Sequence, residues 1–380
     1  MKNLFSQIHS KLLSIHENQP EGHAYKRIKL LSGLVTGMIS KGNSSLPDIG
    51  SGLPQDIYAN SKTDAAKRFV SNKWTDYETH FLPFLLPFLQ SIIFLIPFHE
   101  GIRLVIDGSD VGKHNATLMV SIVWKNRGIP ICWYVKKGNK GHFKEQDHVA
   151  ILQQAHEILT PLLPQGIAVT VLGDGEFDGI GIQELCNNSD WAYVLRTACN
   201  TVLYENDQEF HARDAQAIPS QGVFFIPQVE FTKKRFKYVN FTCWHDTKKH
   251  EEPIFLVSNL DEVGDIINYY DQRYSIECLF KDLKSSSFNL HKTRLQSTYD
   301  VANLIIVAAL AFIILVALAL HNDTTAMRKK VQRVRPDRKV LSFFTFAYKL
   351  VDYLIKYDRP LHFSFQFSKN DLRLFHQTTS

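Results

Sequence analysis

The sequence predicts an α/β fold. Three β-rich runs separated by polar turns lie between residues 102 and 135, and helix and strand patterns then alternate from 146 to 195. The 380 residues are 44% hydrophobic and 21% charged, which excludes disordered and collagen-like chains. At roughly 100–200 residues per domain, this length suits two or three domains with ample core.

The elements follow in order. Residues 1–75 read as helical and basic, with Lys26, Arg27 and Lys29 on the mildly amphipathic Ala24–Ser40 stretch. Lys41–Pro54 (KGNSSLPDIGSGLP) has a loop or linker composition, and Thr63–Lys73 reads as a second helix. In the apolar run Phe81–Phe98, Pro83, Pro87 and Pro97 predict short pieces rather than a membrane span. Ile102–Ile106, Thr117–Val123 and Ile129–Val135 are the β-rich runs. Gln146–Leu159 is helical, Ala168–Leu172 a strand, Phe177–Cys186 a short helix and Trp191–Leu195 a fifth strand. Residues 198–262 hold GVFFIPQVEF, FKYVNFTCW and PIFLVSNL and predict an all-β insertion. Helices return at about 264–285 and 298–321. The expected division is 1–75, 76–197, 198–262, 263–325 and a basic C-terminal region, 326–380. No internal repeat is evident.

Composition narrows the function classes. Lys and Arg number 43 against 38 Asp and Glu, a net charge of +5, so the placement of charge matters more than its total. Cys132, Cys186, Cys199, Cys243 and Cys278 form no CxxC pair and no Cys/His cluster, which excludes a zinc finger or disulfide scaffold and suits a reducing compartment. The N-terminus lacks an apolar core followed by a small-residue cleavage site, so a cytoplasmic chain is expected. Val301–Leu320 has Asn303 as its one polar side chain and is long enough to span a bilayer, with basic residues close behind. A helix apolar all round is also what the core of a large domain needs, and that is the expectation here.

Two aspartates stand where open α/β sheets place ligands. Asp107 follows the first strand in VIDGSD, and Asp174 follows the fourth in VLGDGEFD. Paired carboxylates there suit a divalent cation, although Asp also commonly closes loops after strands. Asp110, Glu176 and Asp178 crowd them but lie further from the strand ends. The helix over Asn268–Ser285 adds a third carboxylate. With Tyr270 at zero and about 100° per residue, Arg273, Glu277 and Lys284 fall within an arc of about 60°. Ile276, Leu279 and Leu283 cluster roughly 100° away as the buried stripe. The ridge could be a solvated face with pairs such as Glu277–Lys281. It could equally be a carboxylate flanked by phosphate-binding cations, Arg as a bidentate fork and Lys as a point charge.

On these residues the chain resembles the DDE transposases of bacterial insertion sequences, the cut-and-paste family with a Y-x2-R-x3-E-x6-K signature. Tyr270, Arg273, Glu277 and Lys284 match it in type and spacing. The two aspartates and a β-rich segment before the Glu match in order, over about residues 100–320. The resemblance implies a ribonuclease-H-like catalytic core with an all-β insertion. It implies catalytic, metal-holding Asp107, Asp174 and Glu277, two Mg²⁺ per site with Mn²⁺ able to substitute, and hydrolysis followed by strand transfer. Tyr270, Arg273 and Lys284 would contact DNA near the cleavage point, with Lys281, Lys292 and Arg294 extending the basic surface. Arg328–Lys339 is a further backbone-contact candidate. Residues 1–75 would bind transposon-end inverted repeats, target DNA would enter the same site, and a homodimer would pair two ends. The enzyme would be cytoplasmic, bacterial and nucleoid-associated, with no membrane segment. Trp244 is either a base-stacking residue of the insertion or, the preferred reading, a core Trp. A catalytically inactive DNA-binding regulator is the alternative, against which the intact acidic triad speaks.

Overall fold

Helices dominate the first quarter of the chain: α1 (Lys2–Leu13), α2 (Gly22–Lys41), α3 (Leu46–Gly50), α4 (Ala59–Val70), α5 (Tyr77–His80) and α6 (Leu82–Leu95). The structure is a computed structural model that describes residues 2–16, 18–139, 141, 143–215, 222–332 and 341–366. Helix α2 stops where Gly42 turns to φ 60° and its N–H reaches the Met38 carbonyl, a left-handed cap that glycine adopts without strain. The loop expected at 41–54 contains α3. Ser45 accepts from the Asp48 N–H at 3.3 Å, and Pro47 sits in the first turn where no N–H is needed.

The run 81–98 also departs from expectation, because most of it is the single helix α6. Pro83 lies in the first turn, Pro87 is interior and Pro97 falls beyond the end. An interior proline costs about 3 kcal/mol. Six side chains of α6 are buried (Phe84, Leu85, Phe88, Leu89, Ile92 and Ile93), each worth ~1.5–3 kcal/mol, so burial wins.

The strands are β1 (Ile102–Val111), β2 (Asn115–Trp124), β3 (Arg127–Lys137), β4 (Val169–Gly173), β5 (Ala192–Thr197), β6 (Val202–Glu205), β7 (Gln208–His211), β8 (Val223–Phe231), β9 (Phe236–Trp244) and β10 (Ile254–Ser258). Helix α7 (Glu145–Leu159) links β3 to β4, and α8 (Ile180–Asn188) links β4 to β5. Among the described residues these strands form one sheet in the order β3-β2-β1-β4-β5-β10-β9-β8-β6-β7. The first three are antiparallel neighbours, whereas β4 and β5 run parallel to β1. Residues 198–262 supply β6–β10 and continue this sheet, with β10 antiparallel to β5. The β6–β7 hairpin is legible only in its turn, where Asn206 and Asp207 both have positive φ (49° and 65°), as a two-residue primed turn requires.

After the sheet come α9 (Val263–Gln272), α10 (Tyr274–Lys281), a π-helical turn (Asp282–Ser286), α11 (Thr298–Asn322), α12 (Thr325–Val331) and α13 (Phe343–Lys356). Helix α11 is long and apolar enough to cross a membrane, yet 94% of its most apolar window is buried within the fold. It packs against β3, α2, α4, α6 and α13. Its buried Asn303 donates to the Val70 carbonyl at 2.7 Å, so the one polar group in the apolar run is satisfied.

Candidate active site

Strand register brings the two aspartates together. Ile106 of β1 lies opposite Gly173, the last residue of β4, so Asp107 and Asp174 are each one step further along neighbouring parallel strands. Asp174 follows its strand as expected. Asp107 does not: it lies inside β1, which runs on to Val111 because the hairpin with β2 keeps pairing beyond the end of β4. Asp107 is 2% exposed, and its Oδ1 accepts from the Gly108 N–H at 2.7 Å. Asp174 Oδ1 accepts from the Glu176 N–H at 3.0 Å, closing the loop after β4.

The helix that carries the third carboxylate is interrupted at Arg273. The Arg273 N–H reaches Tyr270 at 2.9 Å and Ile276 N–H reaches Arg273 at 3.3 Å, three-residue bonds in place of four. Arg273 keeps helical dihedrals, so α9 and α10 continue one another with a tightened step. The predicted apolar stripe is buried: Ile276 0%, Leu279 0% and Leu283 2% exposed. Lys284 lies on the π-helical turn, whose wider step breaks the uniform 100° phase expected for it, and it is half-buried.

One guanidinium joins two of the acids. Arg273 Nη2 donates to Glu277 Oε1 at 2.6 Å, and Nη1 lies 3.7 Å from Asp107 Oδ2. Glu277 therefore pairs back to Arg273. The Tyr270 ring lies 5.8 Å from that guanidinium, and the side chain is 6% exposed. Burial pushes the Tyr270 phenol above its ordinary value, with Arg273 and Arg196 pulling the other way and Asp174 adding to the rise. Burial works to lower the Arg273 pKa, but Tyr270, Glu277 and Asp107 outweigh it and hold the group above its ordinary value. Lys281 at the end of α10, and Lys292 and Arg294 beyond it, are exposed.

Neighbouring groups brace the site. Asp178 accepts from the Thr197 hydroxyl at 2.6 Å, and burial pushes its carboxyl up. The buried His148 of α7 was not singled out by its sequence context. Its Nε2 lies 3.7 Å from Glu176 Oε1, and its ring packs 4.7 Å from that of Phe177. Burial pushes the imidazole below its ordinary pKa, against the pull of Asp147, Glu145 and Asp174. Its placement follows from α7 packing on β2, β3 and α8, which no local sequence pattern gives.

Two further expectations meet the structure here. Trp244 ends β9 at 5% exposure, edge-on to His250 at 4.9 Å, which is core packing. Lys249 Nζ lies 5.4 Å from the Trp244 ring and bonds Asp271 at 2.6 Å, fastening the β9–β10 loop to α9 beside Tyr270. Of the cluster Arg328–Lys339, residues 333–339 lie outside the described residues. Arg328 is 5% exposed with Asp323 on its guanidinium (Nη2–Oδ2 3.0 Å), so its charge is paired within the fold.

The acids form an all-oxygen donor set, the chemistry hard divalent cations take. Among the described residues, no three His, Cys, Asp or Glu side chains stand close enough to hold an ion. The Arg273 guanidinium lies between Asp107 and Glu277, and its own binding there shows that the place accepts positive charge. In the arrangement seen here that positive charge is the guanidinium itself.

The Transposase DDE domain family model matches residues 98–314. No curated protein matches the chain. Among solved structures, a Ciona intestinalis Endonuclease V complex with a 24mer DNA is 14% identical, covering 49% of this chain and 87% of its own at TM-score 0.30. Human ENDOV is 14% identical, with coverages of 49% and 85% and a TM-score of 0.27. A Marinitoga piezophila Argonaute complex with guide RNA is 14% identical, with coverages of 53% and 28% and a TM-score of 0.23. The family match spans more than half of the chain and takes in Asp107, Asp174 and Glu277 alike, so the chain belongs to the Transposase DDE domain family.

Proposed function

We propose that the chain is a bacterial insertion-sequence transposase that cuts at transposon ends and joins them to target DNA by cut-and-paste transposition. The observation that carries this reading is the convergence of Asp107 and Glu277, far apart in sequence, on one guanidinium beside the strand end that bears Asp174. In this reading β1–β5 with α7 and α8 are a ribonuclease-H-like core, and β6–β10 are its all-β insertion. The family generally uses divalent metal ions. Asp107, Asp174 and Glu277 would hold two Mg²⁺ or Mn²⁺, which when bound activate the attacking oxygen and stabilise the leaving one.

The remaining groups act on the DNA. Arg273 released from Glu277 offers a bidentate fork to a phosphate, and Lys284 adds a point charge. Tyr270, in contact with the guanidinium face, keeps Arg273 aimed at the strand ends. Lys281, Lys292 and Arg294 would extend the phosphate track, and the N-terminal helices would bind the inverted repeats. A homodimer on paired ends would cut both in concert, in the bacterial cytoplasm and on the nucleoid.

The absence of a three-acid cluster among the described residues favours one second reading, a DNA-binding regulator that does not cut. One experiment separates the two. Purified chain is incubated with paired terminal repeats and Mg²⁺, beside a Glu277→Gln variant. Nicking at the repeat ends by the wild type alone is expected; specific binding without nicking by either would leave the regulator standing.

A further inference from the structure

A cleft between α12 and α13 stands apart from the carboxylates and has no part in the chemistry above. It encloses about 530 Å³ and is lined by Lys330 and Val331 of α12 and by Lys349, Asp352, Tyr353, Lys356 and Tyr357 of α13 and its end. Lys349, Asp352, Tyr353 and Lys356 fall at i, i+3, i+4 and i+7, one stripe of α13, while Phe346, Leu350 and Leu354 bury another side of it. Among the described residues, three ammonium groups and one carboxylate therefore share a concave wall, a net charge of plus two.

Lysines in the last turn of a helix are ordinarily explained by the helix dipole. That accounts for Lys330 and Lys356, which lie in the last turns of their helices. It does not account for Lys349 in the middle of α13, nor for the gathering of all three on one cleft. Among the described residues, no ion pair holds any of these three lysines. Like charges lining a cleft repel one another and focus a positive potential that polyanions enter. The tyrosines suit the same ligand: the Tyr353 and Tyr357 rings lie 4.8 Å apart, with Lys356 Nζ 5.5 Å from the Tyr357 ring.

We propose that this cleft is a second DNA-binding surface that grips the phosphate backbone of duplex DNA outside the catalytic site, through Lys330, Lys349 and Lys356. The proposal rests on the transposase reading for its ligand. Phosphate contacts of this kind carry affinity and register but no sequence information, so the cleft would hold whichever duplex flanks the cleaved end.

The test uses the full chain and a Lys330→Gln/Lys349→Gln/Lys356→Gln variant, all three positions being exposed. Binding of a fluorescent duplex is followed by anisotropy across salt concentrations, and thermal unfolding checks that both proteins fold alike. Each lost phosphate contact removes about 0.9 from the slope of log affinity against log salt. We therefore expect a slope shallower by roughly two to three and affinity about tenfold or more weaker at physiological salt. Cleavage at saturating DNA should change little. An unchanged slope with normal wild-type binding overturns the cleft and spares the transposase reading, and so does a variant that loses only polyglutamate binding, which would assign the cleft to acidic protein. A wild type that binds no duplex overturns both.

Discussion

Arg273 is the residue on which the site turns. Its fork spans a strand carboxylate and a helix carboxylate, at 3.7 and 2.6 Å, and a single-point cation on a flexible stem cannot do both. Arg273→Lys should therefore keep the charge and lose the bridge. In the proposed active state Arg273 has left Glu277 for a phosphate, where lysine offers one contact in place of a fork; with a hydrogen bond to a charged group worth about 1.5–3 kcal/mol, single-turnover nicking should fall about tenfold or more. Nicking at the wild-type rate would show that only the positive charge at this position matters. The sequence context of Arg273 already named it, since its spacing to Tyr270 and Glu277 follows the helical period. Its partner Asp107 was named too, yet the bridge between them was not readable, because it depends on how closely α10 lies on β1.

At the scale of elements, the π-helical turn after α10 is tied to the sheet by a partly buried ion pair, Arg127 of β3 to Asp282 at 2.6 Å. Burial nevertheless pushes the Asp282 carboxyl from 3.8 up to about 6, against the pull of Arg127 and Lys281. A raised carboxyl means that the folded state holds its proton more tightly than the unfolded chain does. The contribution of Asp282 to stability is therefore greatest below about pH 4 and declines as the pH rises through about 6. Asp282→Asn should flatten that segment of the stability curve, measured by urea unfolding at steps from pH 4 to 7. An identical slope in the variant would mean that Asp282 titrates normally. The turn's irregular geometry has no counterpart in the local sequence DLKSS, whose residues would equally suit a plain helix end.

For the whole molecule, the deciding element is α11. Its composition fits a bilayer and a core equally well, because both are apolar solvents for a helix. Here β3, α2, α4, α6 and α13 surround it. The folded chain should accordingly be recovered without detergent after cell breakage; recovery only with detergent would mean that α11 leaves the fold for the membrane. The N-terminal helices, read from sequence as a basic DNA-facing region, also contribute Ile8, Leu12, Leu31, Val35 and Met38 to the same apolar core. Their outer faces still carry exposed cations, Lys26 of α2 and Lys67 and Arg68 of α4 among them.

Periodicity and composition by themselves determined the α/β class, the order of strands and helices from 102 to 195 and the buried stripe of α10. These are local properties, carried by side-chain period and by turn chemistry within a few residues. The tertiary structure alone decided the rest. Asp107 falls inside a strand because β2 goes on pairing with it, and residues 198–262 extend one sheet because β10 pairs with β5. Helix α6 survives Pro87 because neighbours bury its apolar face, and Arg273 reaches Asp107 because α10 lies against β1. Each outcome depends on free energy shared between segments distant in the chain, and no window of sequence contains both partners.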